Sequence, residues 1–156
     1  MNWKLRPASE GDRHFLYRLH ATTMRDVVES TWGWDEEWQL TEFEKRLQES
    51  PYFVIEADEV AVGTVCVERR PDAFYILELQ LLPAYQGRGI GGDVVRSIIR
   101  DATAECVPVA LSVVPANARA QRLYERLGFR VVGVDPPFIR MSHSGGGVQD
   151  AATRRP

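Results

Sequence analysis

Gly87, Gly89, Gly91 and Gly92 crowd one short turn within Leu79-Gln-Leu-Leu-Pro-Ala-Tyr-Gln-Gly-Arg-Gly-Ile-Gly-Gly-Asp93. Behind them Ile90, Val94, Val95, Ile98, Ile99 and Ala102 recur at helical spacing, so the stretch reads as strand, glycine-rich loop and helix start. Such a loop exposes backbone N–H groups at a helix N-terminus, where the macrodipole favours an anion. The chemistry it suits is holding a phosphate or pyrophosphate. Gly87-x-Gly89-x-x-Gly92 also matches the dinucleotide fingerprint formally, which would make the protein an oxidoreductase. Its context does not fit. Pro83-Ala-Tyr-Gln86 separates the loop from its strand, and Val109-Ala-Leu-Ser-Val-Val114 carries no acid to hold a ribose. No Gly-Lys-Ser/Thr is present, which excludes a P-loop nucleotidase.

Other chemistries find little material. The histidines are His14, His20 and His143, too few and scattered for a zinc site or a cysteine–histidine pair, so no metal is expected. Cys66 and Cys106 read as buried free thiols of a reducing compartment. A net charge of −3 gives no basic field for nucleic acid or anionic lipid. No apolar run approaches the roughly 18 residues of a membrane span, and the first residues lack the apolar region of a signal peptide. The expectation is a cytoplasmic protein with no nucleic-acid or membrane partner.

The elements that must position the loop follow from pattern. Trp3 to Arg6 alternates as a strand. Ser9 or Asp12 caps a helix to about Glu29, with Phe15, Leu16, Leu19, Met24, Val27 and Val28 on its apolar side. Asp35 caps a second helix to about Glu49, its apolar side made by Trp38, Leu40, Phe43 and Leu47. Tyr52 to Ala57, Val60 to Arg69 and Phe74 to Leu82 are strands, with Asp58-Glu59 a tight turn. The helix behind the loop runs to about Cys106. Pro108 to Val114 is an apolar strand, Ala116 to Leu127 a helix stopped by Gly128, and Phe129 to Val134 and Phe138 to Ser142 final strands. The order implies an α/β fold, a mixed sheet of about seven strands with helices on both faces. One domain spans residues 1–143, and residues 144–156 form a disordered tail.

Two blocks carry a family resemblance. Gln86-Gly-Arg-Gly-Ile-Gly91 resembles the (Arg/Gln)-x-x-Gly-x-(Gly/Ala) signature of the GNAT superfamily, the GCN5-related N-acetyltransferases. Asn117-Ala-Arg-Ala-Gln-Arg-Leu-Tyr-Glu-Arg-Leu-Gly-Phe129 is similar to its Asn-x-x-Ala-x-x-Leu-Tyr-x-x-x-Gly-Phe segment. A helix and a strand separate the blocks, as in that family, and the element order matches across about residues 3 to 142.

The resemblance implies a GNAT fold and an enzyme that moves an acetyl group from acetyl-CoA to a primary amine by direct attack in a ternary complex. Acetyl-CoA, the co-substrate, would lie in a V-shaped opening where the strand ending near Leu82 splays from the one ending near Val114. The amides of Gln86, Gly87, Arg88, Gly89, Ile90 and Gly91 would take the pyrophosphate, with Arg88 adding charge or remaining a solvated loop residue. Backbone groups of Leu79, Gln80 and Leu81 would pair with pantetheine, and the Leu81 N–H would polarise the thioester carbonyl. Asn117 would bond the pantetheine arm, cap its helix, or both. Tyr124 would protonate the leaving thiolate; read without the resemblance, it is an aromatic core residue.

Glu78 is the strand carboxylate nearest the cleft, either a base for the amine or a solvent-facing or ion-paired residue. The same alternatives cover Glu29, Glu36 and Glu37. The acceptor side falls on the connection between the first two helices. There Trp32 and Trp34 beside Asp35 to Glu37 suit a cationic amine, or pin the loop. Tyr17, His20 and Met24 could contribute from the preceding helix. The acceptor is a small-molecule or peptide amine, and homodimers are common in families of this kind. The alternative of another class is a catalytically inactive CoA-binding module acting as sensor or partner.

Overall fold

Asp58 and Glu59 adopt positive φ, 50° and 68°, the mirror-image two-residue turn whose twist matches a hairpin. They join β2 (Tyr52–Ala57) to β3 (Val60–Arg69). The computed structural model describes residues 2–144. Its other elements are β1 (Trp3–Pro7), α1 (Arg13–Thr31), α2 (Glu36–Glu49), β4 (Phe74–Leu81), α3 (Ile90–Ala104), β5 (Val109–Val113), α4 (Ala118–Arg126), β6 (Arg130–Asp135) and β7 (Phe138–His143). The seven strands form a mixed sheet, as the element pattern implies, and its strand order is β1-β2-β3-β4-β5-β7-β6. Apart from Ser144, the expected tail lies outside the described residues. The chain divides into two units, Met1–Val67 with Leu77–Gly91, and Glu68–Ile76 with Gly92–Pro156.

In the first unit β1 pairs antiparallel with β2, and β2 with β3. Leu16, Phe43 and Val54 form a buried cluster, against which Phe15, Tyr17 and Leu47 pack. α2 departs from expectation. Trp38 and Leu40 are exposed, and the buried residues of this helix are Gln39 and Phe43. Gln39 is tolerated inside because its Oε1 meets His20 Nε2 at 2.9 Å.

A bulge in β3 shapes the end of β4. The register steps from Ile55↔Gly63 to Glu56↔Ala61, leaving Val62 extra, and the Val62 carbonyl accepts from Leu82 N–H at 2.8 Å. Gly63 lies so close that a Cβ there would collide with the Gln80 carbonyl oxygen. Gly63→Ala is therefore expected to push the end of β4 away and cost about 1–3 kcal/mol, as core overpacking does. Thermal unfolding should show a fall in Tm of several degrees.

Arg6 ties β1 to the entry of α1. Its Nη1 and Nη2 donate to Asp12 at 2.8 and 2.9 Å, and Nε donates to Glu56 at 2.7 Å. Asp12 also accepts from the Ser9 N–H, closing a capping box. Arg6 holds the Asp12 carboxyl at about 2, below its ordinary 3.8. A depressed carboxyl contributes stability above its unfolded value and loses it as pH falls through its folded one. Asp12→Asn should cost about 1 kcal/mol near neutrality, a figure discounted for the partly exposed Arg6. Unfolding measured from pH 4 down to pH 2 should show that difference fade.

In the second unit β4 begins parallel to β5, at Phe74↔Val109 and Tyr75↔Ala110. β5 and β6 each pair antiparallel with β7. Val94, Val95, Ile98 and Ala102 of α3 are buried, the stripe that the spacing implies. α3 stops at Ala104, and Cys106, expected buried, is exposed at φ 59°; Cys66 is buried. The thiol expectation misplaces Cys106 because an apolar neighbourhood in sequence does not fix the side of a turn on which a residue falls.

Candidate active site

The glycine loop lies in the first unit. Leu82 leads into a 3₁₀ turn over Pro83–Tyr85, and Gln86 Nε2 donates to the Leu81 carbonyl at 2.9 Å. That bond fixes the start of the loop to the end of β4. Gly87 and Gly89 have φ of 74° and 87°, a backbone that side-chain-bearing residues rarely adopt, and a Cβ at either would meet nothing within 4 Å. The loop thus presents main chain to open space. Ile90 is buried and anchors the first turn of α3, whose initial N–H groups have no intrahelical partner by geometry. Backbone, positive φ and helix start are the parts of an anion cradle, so these residues fit a pyrophosphate. Arg88 is exposed, its guanidinium 5.2 Å from the centre of the Tyr85 ring.

On β4, Gln80 is buried and Leu79 and Leu81 are half-buried. Glu78 is neither free nor solvent-facing. Its Oε1 accepts from Arg46 Nη1 at 2.8 Å and its Oε2 from Tyr52 Oη at 2.7 Å. Arg46 is separated from Glu78 by 32 positions and Tyr52 by 26, so no local spacing announces them. The one sequence signal is Arg46 itself, a cation beside the apolar Phe43 and Leu47 of α2.

The connection between α1 and α2 is held from within. Glu36 accepts from Tyr17 Oη and from Trp34 Nε1, both at 2.7 Å. These two donors lower the Glu36 pKa, while burial and then Glu36 push the Tyr17 hydroxyl up to about 12. The Arg25 guanidinium lies over the Trp34 ring at 5.2 Å. Trp34 is therefore part of a clasp that already engages a cation, while Trp32 is 57% exposed. Asp35 caps α2, accepting from the Trp38 N–H. His20 is buried, with its ring near Trp34 and Phe43; burial lowers its pKa and keeps it neutral.

In the second unit Asn117 caps α4, its Oδ1 accepting from the Ala120 N–H at 3.2 Å. Tyr124, two turns along, is 6% exposed, with its ring edge-on to Phe129 at 5.4 Å. The Phe129 N–H donates to the Tyr124 carbonyl at 3.0 Å across Gly128, which has φ 98°. Burial pushes the Tyr124 hydroxyl well above its ordinary range, so it keeps its proton at any working pH. No three His, Cys, Asp or Glu side chains gather into a metal-holding group among the described residues.

Comparison with known proteins bears on these parts. The model of the acetyltransferase (GNAT) family matches residues 13–129. N-alpha-acetyltransferase 40 of Saccharomyces cerevisiae is 31% identical over 108 residues, which are 62% of this chain and 38% of that protein. The chain thus spans less than half the length of that relative. The PaiA N-acetyltransferase of Thermoplasma acidophilum, solved in complex with coenzyme A, is similar in fold with a TM-score of 0.71 at 18% identity, over 92% of this chain and 99% of its own. NAA60 of Arabidopsis thaliana, solved with a bisubstrate analogue, gives a TM-score of 0.66 at 19% identity, over 94% and 99%.

Proposed function

The chain belongs to the GNAT acetyltransferase family, and on that premise we propose that it moves an acetyl group from acetyl-CoA to a primary amine. The observation that carries the reading is the family match over residues 13–129, which includes both the Gln86–Gly91 loop and the Asn117–Phe129 block. The open, positive-φ glycines of the loop support it from the geometry. We take residues 1–143 as one catalytic domain, since the match runs through both units.

Acetyl-CoA supplies an acyl carbon activated as a thioester. The amides from Gln86 to Gly91 hold its pyrophosphate. The backbone of Leu79, Gln80 and Leu81 lines up the pantetheine arm, with the Leu81 N–H turned to the carbonyl oxygen. Asn117 serves that arm while capping α4. Glu78 accepts the proton the amine must lose, directly or through water, and Tyr124 gives one to the departing sulfur, so that one C–N bond forms as one C–S bond breaks. Trp32 and Trp34 form the acceptor wall.

The test is a panel of amines with acetyl-CoA: small aliphatic amines, lysine side chains and peptides with free N-termini, read by thiol release. Acceleration by one class, with thermal stabilisation by CoA and not by NAD, is the expected result. CoA binding with no turnover across the panel would favour the inactive binding module, and stabilisation by NAD alone would overturn the reading.

A further inference from the structure

We propose that Tyr52 is a positioning residue for the Glu78 carboxylate, one arm of a two-point clamp whose other arm is Arg46. The proposal rests on the reading of Glu78 as proton acceptor and assigns a role to a side chain that reading leaves unused. Two elements converge on one carboxylate of β4. Arg46 comes from α2 and takes Oε1; Tyr52 opens β2 and takes Oε2. The Glu78 side chain is 12% exposed, whereas that of Arg46 is 37% exposed, so the acid sits at the inner end of the pair. An acid held by one oxygen can still rotate about its last side-chain bond. Held by both, it offers its remaining lone pairs in one direction, which is what a base needs to meet an amine proton at hydrogen-bond distance.

Tyr52 is suited to that task and to little else. It is buried, opposite Cys66 in the β2–β3 register. Burial first, and the adjacent Glu78 charge second, push its ionisation far above the ordinary range, so it always donates to Glu78. The charged and titratable groups around the carboxylate are Arg46 from α2, Tyr52 from β2 and His20 from α1, with Cys66 of β3 behind Tyr52. His20 donates from Nε2 to Gln39 Oε1, while its Nδ1 is buried with no hydrogen-bond partner. Kept neutral by burial, His20 adds no charge that would compete for the carboxylate.

Tyr52→Phe removes the hydroxyl and keeps the ring in the core. With the acceptor selected by the panel above, kcat is expected to fall about tenfold, with little change in KM for acetyl-CoA. Arg46→Lys, which retains one donor to Oε1, should keep more activity than Arg46→Ala. Glu78→Gln should lose most of the rate, and adding Tyr52→Phe to it should cost nothing further, since the clamp would have nothing to hold. Thermal unfolding of each variant checks that the fold survives. An unchanged kcat in Tyr52→Phe, beside an inactive Glu78→Gln, would overturn the clamp and leave the base in place. Additive losses in the double variant would also overturn it. A fully active Glu78→Gln would remove the base reading itself, and the clamp with it.

Discussion

Tyr124→Phe is expected to lower kcat by about a hundredfold or more, the range of a lost general acid, while CoA binding stays within about twofold of the parent protein. The substitution removes one oxygen from a side chain that otherwise packs on Phe129, so the α4 cap at Asn117 and the Gly128 turn should persist. Burial raises its ionisation above its ordinary value of 10, so the phenol carries its proton when the thiolate forms. It follows that Tyr124 contributes no alkaline limb to the rate below about pH 10. Steady-state thiol release and CoA calorimetry on the same preparation separate the two quantities. An unchanged rate would return Tyr124 to the core, as a packing residue of α4.

Gly89→Val should act on the other side of that split. At φ 87° a β-branched residue is strained, and its Cβ would stand in the open space above the loop. The expected result is a rise of about tenfold to a hundredfold in the CoA Kd, equivalent to roughly 1.4–2.8 kcal/mol. Gly33 provides the control. It has φ 85° and equally open surroundings, but it belongs to the connection between α1 and α2. Gly33→Val carries the same backbone strain, so it should lower stability without weakening CoA. Equal losses of CoA affinity in the two variants would mean that general strain, rather than the loop, is being read.

The contrast between these residues and Glu78 shows what the sequence makes legible. The loop, the helix behind it and the Asn117 cap are local. Glycine placement, helical spacing and a capping asparagine each act within a few residues, so the pattern of types predicts the geometry. The β2–β3 hairpin is also legible, because turn chemistry such as Asp58-Glu59 fixes it. The surroundings of Glu78 are not local. They depend on a helix and a strand presenting Arg46 and Tyr52 to the same carboxylate, and on the Gln39–His20 contact that lets a polar residue replace the expected Trp38 on the inner face of α2. The β3 bulge at Val62 and the close approach of the Gln80 carbonyl to Gly63 are hidden for the same reason, since each joins residues distant in sequence.

The Glu36 clasp bears on how an acceptor would arrive. With Tyr17 and Trp34 both donating to it and Arg25 laid over the indole, the proposed acceptor wall is set before any amine is present. Binding to a preset wall is a single collision-limited step, so stopped-flow traces would be single exponentials whose rate climbs linearly with acceptor concentration. A wall that had to fold around its guest would instead reach a plateau set by the folding step. Glu36→Ala, which releases both donors, is the change that should convert the first kind of trace into the second.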